Sequence, residues 1–320
     1  MKPVLFVTNH VAPNRVGAFE ALAARVPLDV VTFGGAQMHG AEPAVYGRPI
    51  AETDVGREIA RGEHCAVVVG TAGRRSLPLA YRAARRADMP LVHWAAFWAW
   101  PHTAAHLLAR PLLKRIYRDA AAVVTYGPHV SDFARANGAT RVFEAPQSVD
   151  NAFWSAPAGE RGAEFTALFV GRDAPEKGLA VLREAWPGGG RLATVTGGRA
   201  PEQLRNFYAA AHVLVMPSLR TRAFREPWGL VANEAMNQGT AIIASDEVGA
   251  AAGGLVQHDR SGLVVPAGDA SALRGALERL RDDPELTRRL GEQGRTDVAA
   301  YNHDAWADGF EAALREAADC

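Results

Sequence analysis

The sequence predicts an α/β protein built from two parallel-sheet domains that face a central cleft. Its 320 residues are too many for one ordinary core and suit two halves, each of about 150 residues. Short β-branched runs alternate with longer helical patterns, the signature of parallel sheets covered by helices. The runs themselves are almost wholly apolar, as strands buried on both faces must be.

In the first half, strands are expected at Val4–Thr8, Leu28–Phe33, Ala66–Gly70, Pro90–His93 and Ala121–Tyr126. Helices are expected at Val16–Arg25, Leu77–Ala87, Thr103–Arg118 and His129–Asn137. The Pro/Gly/Ala/Ser-rich stretch Pro146–Gly162, with Phe153 and Trp154 inside it, reads as the linker. The first domain is therefore set at residues 1–148 and the second at 149–300. The second set of strands is Glu164–Val170, Arg191–Thr196, Val213–Met216, Ala241–Ser245 and Leu263–Val265. Its crossover helices start near Lys177, Pro201, Pro227 and Asp269. The tail is periodic and helical, and residues 301–320 are expected to pack back on the first domain.

Composition excludes several classes. Lys plus Arg and Asp plus Glu number 35 each, for zero formal charge. That balance argues against a general nucleic-acid or polyanion binder and leaves room for a local basic patch. Cys65 and Cys320, the two cysteines, have no metal-ligand spacing and cannot form a disulfide framework. Cys65 opens an apolar run and is expected to act as a small buried hydrophobe. The opening residues read as a first strand, without the apolar stretch and cleavage site of a signal peptide. No apolar run is long enough to span a bilayer. The expected location is cytoplasmic.

The second half carries the strongest chemical signals. In Phe169-Val170-Gly171-Arg172-Asp173-Ala174-Pro175-Glu176-Lys177-Gly178 a strand ends, Gly171 permits a sharp turn, and a helix follows. Arg172 and Lys177 share that strand-end loop. A guanidinium can grip a diphosphate bidentately and an ammonium can hold it as a point charge; two solvated surface charges are the plain alternative. Further on comes Phe224-Arg225-Glu226-Pro227-Trp228-Gly229-Leu230-Val231-Ala232-Asn233-Glu234-Ala235-Met236. Pro227 suits a first helical position, which would aim the amides of Trp228, Gly229 and Leu230 at an anion. Gly229 would let a phosphate approach the backbone. Glu226 precedes the helix and Glu234 lies about two turns further in, so one carboxylate can face a sugar and the other ribose hydroxyls. The plain alternative makes Glu226 a cap and Glu234 an ordinary helix-face charge.

A third stretch follows, Thr240-Ala241-Ile242-Ile243-Ala244-Ser245-Asp246, then Gly262-Leu263-Val264-Val265-Pro266-Ala267-Gly268-Asp269. The order G-R-x-x-x-x-K-G, E-P-W-G-L-V-x-x-E-A-M, I-I-A-S-D, G-L-V-V-P-x-G-D resembles family-4 glycosyltransferases of the GT-B fold, two Rossmann-like domains. The match spans Phe165–Leu280. The resemblance implies a retaining, metal-independent, hexosyltransferase-like enzyme. It would use a nucleotide-diphosphate sugar as co-substrate, with uridine the preferred base, and no resident cofactor. It also implies donor binding through Gly171, Arg172, Lys177, Glu234 and the helix start at Trp228, Gly229 and Leu230, with Glu226 at the donor sugar. One departure stands out: a single strand–helix unit separates Leu179–Trp186 from the strand near Val215, so the second domain is shortened by one βα unit. That shortening keeps two alternatives open, a non-catalytic nucleotide-sugar binder and a sugar-nucleotide epimerase. A nicotinamide dehydrogenase is disfavoured because no G-x-G-x-x-G follows the first strand.

The first half is expected to bind the small-molecule acceptor. Its candidate residues are His10, Gly17, Trp94, Trp98 and Tyr126. By resemblance, His93 stands near the reacting sugar with a catalytic role, stabilising developing charge. Trp94-Ala95-Ala96-Phe97-Trp98-Ala99-Trp100 holds four large aromatics, suited to a sugar face and equally to core packing, the preferred reading. Leu107–Arg118 mixes leucines with Arg110, Lys114, Arg115 and Arg118. A solvated helix face is preferred there over contact with anionic lipid.

Overall fold

The first strand sets the pattern: β1 (Val4–Thr8) is buried at all five positions, as a central parallel strand must be. This computed structural model describes residues 2–34, 46–73 and 75–318. After β1 come α1 (Val16–Ala23), β2 (Leu28–Thr32), β3 (Arg48–Pro49), α2 (Val55–Ala60), β4 (Ala66–Gly70) and α3 (Ser76–Arg86). Then follow β5 (Leu91–Trp94), α4 (Ala104–Asp119), β6 (Ala122–Thr125), α5 (Pro128–Ala136) and β7 (Val142–Glu144). The seven strands lie in the order β3-β2-β1-β4-β5-β6-β7, with Val4 level with both Leu28 and Ala66.

The chain continues through α6 (Asn151–Ser155), β8 (Thr166–Val170), α7 (Leu179–Ala185), β9 (Arg191–Val195), α8 (Pro201–Ala210) and β10 (Val213–Met216). Next are α9 (Val231–Asn237), β11 (Ala241–Ser245), α10 (Gly249–Ala252) and β12 (Gly262–Val265). The helices α11 (Ala270–Asp282), α12 (Pro284–Val298) and α13 (His303–Ala317) complete it. The second sheet has five strands in the order β12-β11-β10-β8-β9. One strand–helix unit, β9 with α8, lies between α7 and β10.

Two compact units result: residues 1–148 together with 303–320, and residues 149–302. The last helix is part of the first unit's core. Trp306 and Phe310 of α13 meet Phe19 and Phe6 at ring separations of 5.2 and 5.4 Å. Both are essentially inaccessible, which contributes roughly 1.5–3 kcal/mol per large apolar side chain. Beside them Arg25, in the turn after α1, pairs with Asp304, Asp308 and Glu311 on α13.

Gly17 has a packing role in this arrangement. A Cβ at that position would lie 2.4 Å from Nδ1 of His303, so the glycine lets α1 and α13 close together. The packing alone accounts for a glycine here, without the acceptor contact expected of it.

Two other expectations change. Pro146–Gly162 is more than a linker, because α6 forms inside it. Asp150 caps that helix by accepting from the Phe153 amide at 3.0 Å, and Trp154 is buried against Tyr208. Cys65 is disulfide-bonded, where a free thiol filling the core was expected; Cys320 lies outside the described residues.

Candidate active site

The order of the second sheet reverses between β8 and β10. Open α/β sheets bind ligands at such points, beyond the carboxyl ends of the strands. The loops leaving β8 (residues 171–178) and β10 (residues 217–230) flank this one.

Gly178 fixes how the two loops meet. Its φ is +70°, in the left-handed region, and a Cβ there would sit 1.9 Å from the Pro217 carbonyl oxygen. No side chain fits without moving backbone. This approach lays the short 3₁₀ turn Pro175–Lys177 beside the second loop, where Lys177 Nζ pairs with a carboxylate oxygen of Glu226. The same ammonium lies 5.6 Å from the centre of the Phe224 ring. Glu226 is buried and held from behind: its residue bridges Val248, and its carbonyl accepts from the Gly249 amide at 3.1 Å. A lysine and a glutamate 49 positions apart thus become one charged pair on a fixed backbone.

Arg172 lies on the same loop but does not join that pair. Its side chain is 67% exposed and meets Glu176 at 3.1 Å, a solvent-screened contact that contributes little to stability. The guanidinium can therefore leave Glu176 for a better anion. Gly171 donates its amide to the Val195 carbonyl and starts the turn, as the sequence reading requires.

The segment 228–230 departs from expectation. The helix begins at Val231, because Gly229 has φ of +93°, which a right-handed helix cannot accommodate. Trp228 is 3% exposed; its indole Nε1 donates to Asn233 Oδ1 at 2.8 Å, and its ring packs on Tyr301. Trp228 is a core residue. The stretch Trp228, Gly229, Leu230 is a turn ahead of α9, and the expected helix-start amides at these three positions are not in a helix.

Glu234 stands one turn inside α9 and is buried. The Tyr208 hydroxyl donates to its Oε2 at 2.6 Å. Burial dominates the carboxyl's titration and raises its pKa to about 7, against the smaller lowering effect of the Tyr208 hydrogen bond. Tyr208 itself is pushed well above the usual phenol range by burial and by Glu234. One carboxylate oxygen is thus committed to protein, leaving the other for a further donor.

The first unit separates its candidates. His93 is the third residue of β5 and is buried, its Nδ1 3.2 Å from the Val69 carbonyl and its ring edge-on to Tyr117. Desolvation depresses its pKa to about 4, so it is a neutral, buried histidine within the strand rather than in a loop after it. Trp94 is also core, in contact with Phe6, Trp306 and Phe310. Trp98 is half-buried against His129, and Tyr126 lies edge-on to Trp94. His10, in the loop after β1, is partly exposed. On α4, Leu107 and Leu108 are 56% and 84% exposed, ahead of the exposed Lys114, Arg115 and Arg118.

Sequence reasoning missed Tyr208, Phe224 and Arg15. Tyr208 and Phe224 have no local signature, since one sits among alanines and the other before the recognised motif. Arg15 had a signal, an arginine in the loop after the first strand. Among the described residues no three His, Cys, Asp or Glu side chains gather to hold a metal ion. No described helix is long and apolar enough to cross a membrane.

These features can be set beside known proteins. Residues 190–297 match the family of glycosyl transferases group 1. The D-inositol 3-phosphate glycosyltransferase of Streptomyces avermitilis is 36% identical over 121 residues, covering 36% of this chain and 24% of that protein. The enzyme of the same name from Rhodococcus erythropolis is 33% identical over 120 residues, covering 38% and 26%. The chain spans about a quarter of the length of these curated relatives.

Solved structures match over nearly the whole chain. Anabaena HepE in complex with UDP and glucose superposes with a TM-score of 0.76 at 15% identity, covering 98% of this chain and 100% of that one. Sucrose-phosphate synthase from Thermosynechococcus elongatus gives 0.74 at 21%, covering 99% of each. At such identities the likeness establishes the fold, which is GT-B.

Proposed function

We propose that this chain transfers a sugar from a nucleotide-diphosphate sugar to a hydroxyl acceptor, with retention of configuration and without a metal ion. The observation that carries the reading is the Lys177–Glu226 pair at the β8/β10 switch point. It joins a cation for a diphosphate to a carboxylate for sugar hydroxyls, in the crevice where such folds hold ligands.

Lys177, with Arg172 released from Glu176, neutralises the diphosphate and so stabilises the leaving group. Glu226 accepts hydrogen bonds from the transferred sugar, and Glu234 from the ribose. The acceptor oxygen bonds to the anomeric carbon on the face the diphosphate leaves. As the carbon–oxygen bond to phosphate breaks, the acceptor proton passes to the departing phosphate oxygen. Uridine is the preferred base; HepE was solved with UDP, and the fold is shared. The first unit supplies the acceptor site, and the cytoplasm supplies the donor.

The test is calorimetric titration with UDP, GDP, ADP and dTDP, on the wild type and on Glu234→Ala. Binding of one diphosphate, weakened by the substitution, supports the donor site and selects the base. Product analysis with the matching sugar nucleotide then separates the alternatives. A transferase needs an acceptor, an epimerase converts the donor alone, and a non-catalytic binder leaves it intact. No binding to any diphosphate removes the enzyme reading.

A further inference from the structure

In the first sheet, strand order reverses between β1 and β4, so the loop leaving β1 occupies the position where open sheets take ligands. That loop ends in the 3₁₀ turn Pro13–Arg15. The Arg15 guanidinium carbon lies 5.2 Å from the centre of the Trp94 ring, at the end of β5. One terminal nitrogen donates to Oε1 of the buried Gln147. Tyr126, just after β6, completes the surroundings, and its phenol and the guanidinium interact electrostatically. Trp94, 7% exposed, keeps its indole Nε1 buried without a hydrogen-bond partner.

The charge on Arg15 is not balanced by protein. Arg25, just past the following helix, meets three carboxylates, and Arg48 meets two. Among the described residues no carboxylate pairs with Arg15, and one hydrogen bond uses one of five guanidinium N–H donors. Holding a half-buried cation on an aromatic face and an amide, with no acid, is costly unless an anion completes the site. Desolvation accordingly presses the Arg15 pKa down. A planar fork with free donors matches a compact oxyanion bidentately, and the Trp94 ring holds the guanidinium within cation–π range.

We propose that Arg15 is an oxyanion subsite of the first unit, holding a phosphate or carboxylate group borne by the acceptor. This rests on the reading that the first unit supplies the acceptor. The class of hydroxyl acceptor is thereby narrowed to anionic ones.

The Trp94 indole provides the probe. The whole protein is labelled with 5-fluorotryptophan, and the Trp94 resonance is assigned by its loss in Trp94→Phe. Inorganic phosphate and, separately, acetate are titrated against chloride at constant ionic strength. We expect a saturable shift of the Trp94 resonance. Arg15→Gln should abolish it, and Arg15→Lys, which keeps the charge but not the fork, should weaken it about tenfold, the worth of one charge-assisted hydrogen bond. Saturation by phosphate alone indicates a phosphoryl group; saturation by acetate alone indicates a carboxylate. A shift that is absent, or that survives in Arg15→Gln, overturns the proposal. UDP titration of the same samples reads the second unit separately and should be unchanged in both variants. Phosphate binding without UDP binding would leave the subsite standing while glycosyl transfer fell. A variant whose first unit misfolds would show in lost dispersion of the other 5-fluorotryptophan resonances, among them the buried Trp306, and the Arg15→Lys comparison would then decide.

Discussion

Glu234 makes the sharpest demand on the structure. A carboxylic acid with a pKa of about 7 in the folded protein and 4.5 otherwise binds a proton more tightly folded than unfolded. Below pH 4.5 both states are protonated and the group is neutral to stability. As pH rises through the window from 4.5 to about 7 the unfolded chain ionises first, so stability falls, and the loss is complete above the folded value. At about 1.4 kcal/mol per pKa unit, the cost at pH 8 approaches about 3 kcal/mol.

Glu234→Gln keeps the shape, can still accept from Tyr208, and removes the titration. Urea unfolding of both proteins at pH 5 and pH 8 should therefore show the variant gaining on the wild type by about 2–3 kcal/mol at the higher pH. Tyr208→Phe should widen the window upward, because the hydroxyl at 2.6 Å favours the ionised form. If the wild type and Glu234→Gln change in parallel between the two pH values, the claim that burial holds this carboxyl protonated is wrong.

Other outcomes follow from individual contacts. Gly178→Ala, with a Cβ aimed at the Pro217 carbonyl, should destabilise the second unit by about 2–4 kcal/mol and weaken diphosphate binding, measured by melting and calorimetry. Gly17→Ala should lower the melting temperature through His303, and adding His303→Ala should restore part of the loss. His93, with a pKa near 4, should show no imidazole titration by NMR from about pH 5.5 to 8. Its neutral burial supports the fold above the unfolded value of 6.5, and that support is lost as pH falls toward 4. Glu226→Gln should raise affinity for UDP while lowering affinity for the sugar nucleotide, compared by titration.

Legibility of the sequence followed the number of buried faces. Val4–Thr8, Ala66–Gly70, Val213–Met216 and Ala241–Ser245 have the bounds expected of them, because a strand covered on both faces is apolar throughout. Arg48–Pro49 and Val142–Glu144 escaped, being short edge strands with half-exposed or exposed residues. Edges are kept short and polar, which erases their signature. At the site, strand-end loops announced Gly171, Arg172, Lys177 and Glu226 through residue type and spacing. The Pro227 start signal misled because Gly229 breaks the helix two residues later. Pairing across distance stayed hidden: nothing local to Lys177 names Glu226, and nothing local to Glu234 names Tyr208.

That hidden pairing has a chemical consequence. With no ligand present, Lys177 and Glu226 satisfy one another, and neither is left as a bare charge near the buried backbone. A nucleotide diphosphate alone can recruit the lysine only by stripping the glutamate of its partner, a cost that offsets much of the phosphate contact. On the proposed reading a sugar nucleotide escapes this cost, its hydroxyls replacing the ammonium at Glu226 as its phosphates reach Lys177. The pair therefore favours a diphosphate with a sugar attached over one without, so that product leaves more readily than donor. A transferase needs that ordering, and a protein built only to retain nucleotide diphosphates has no use for it.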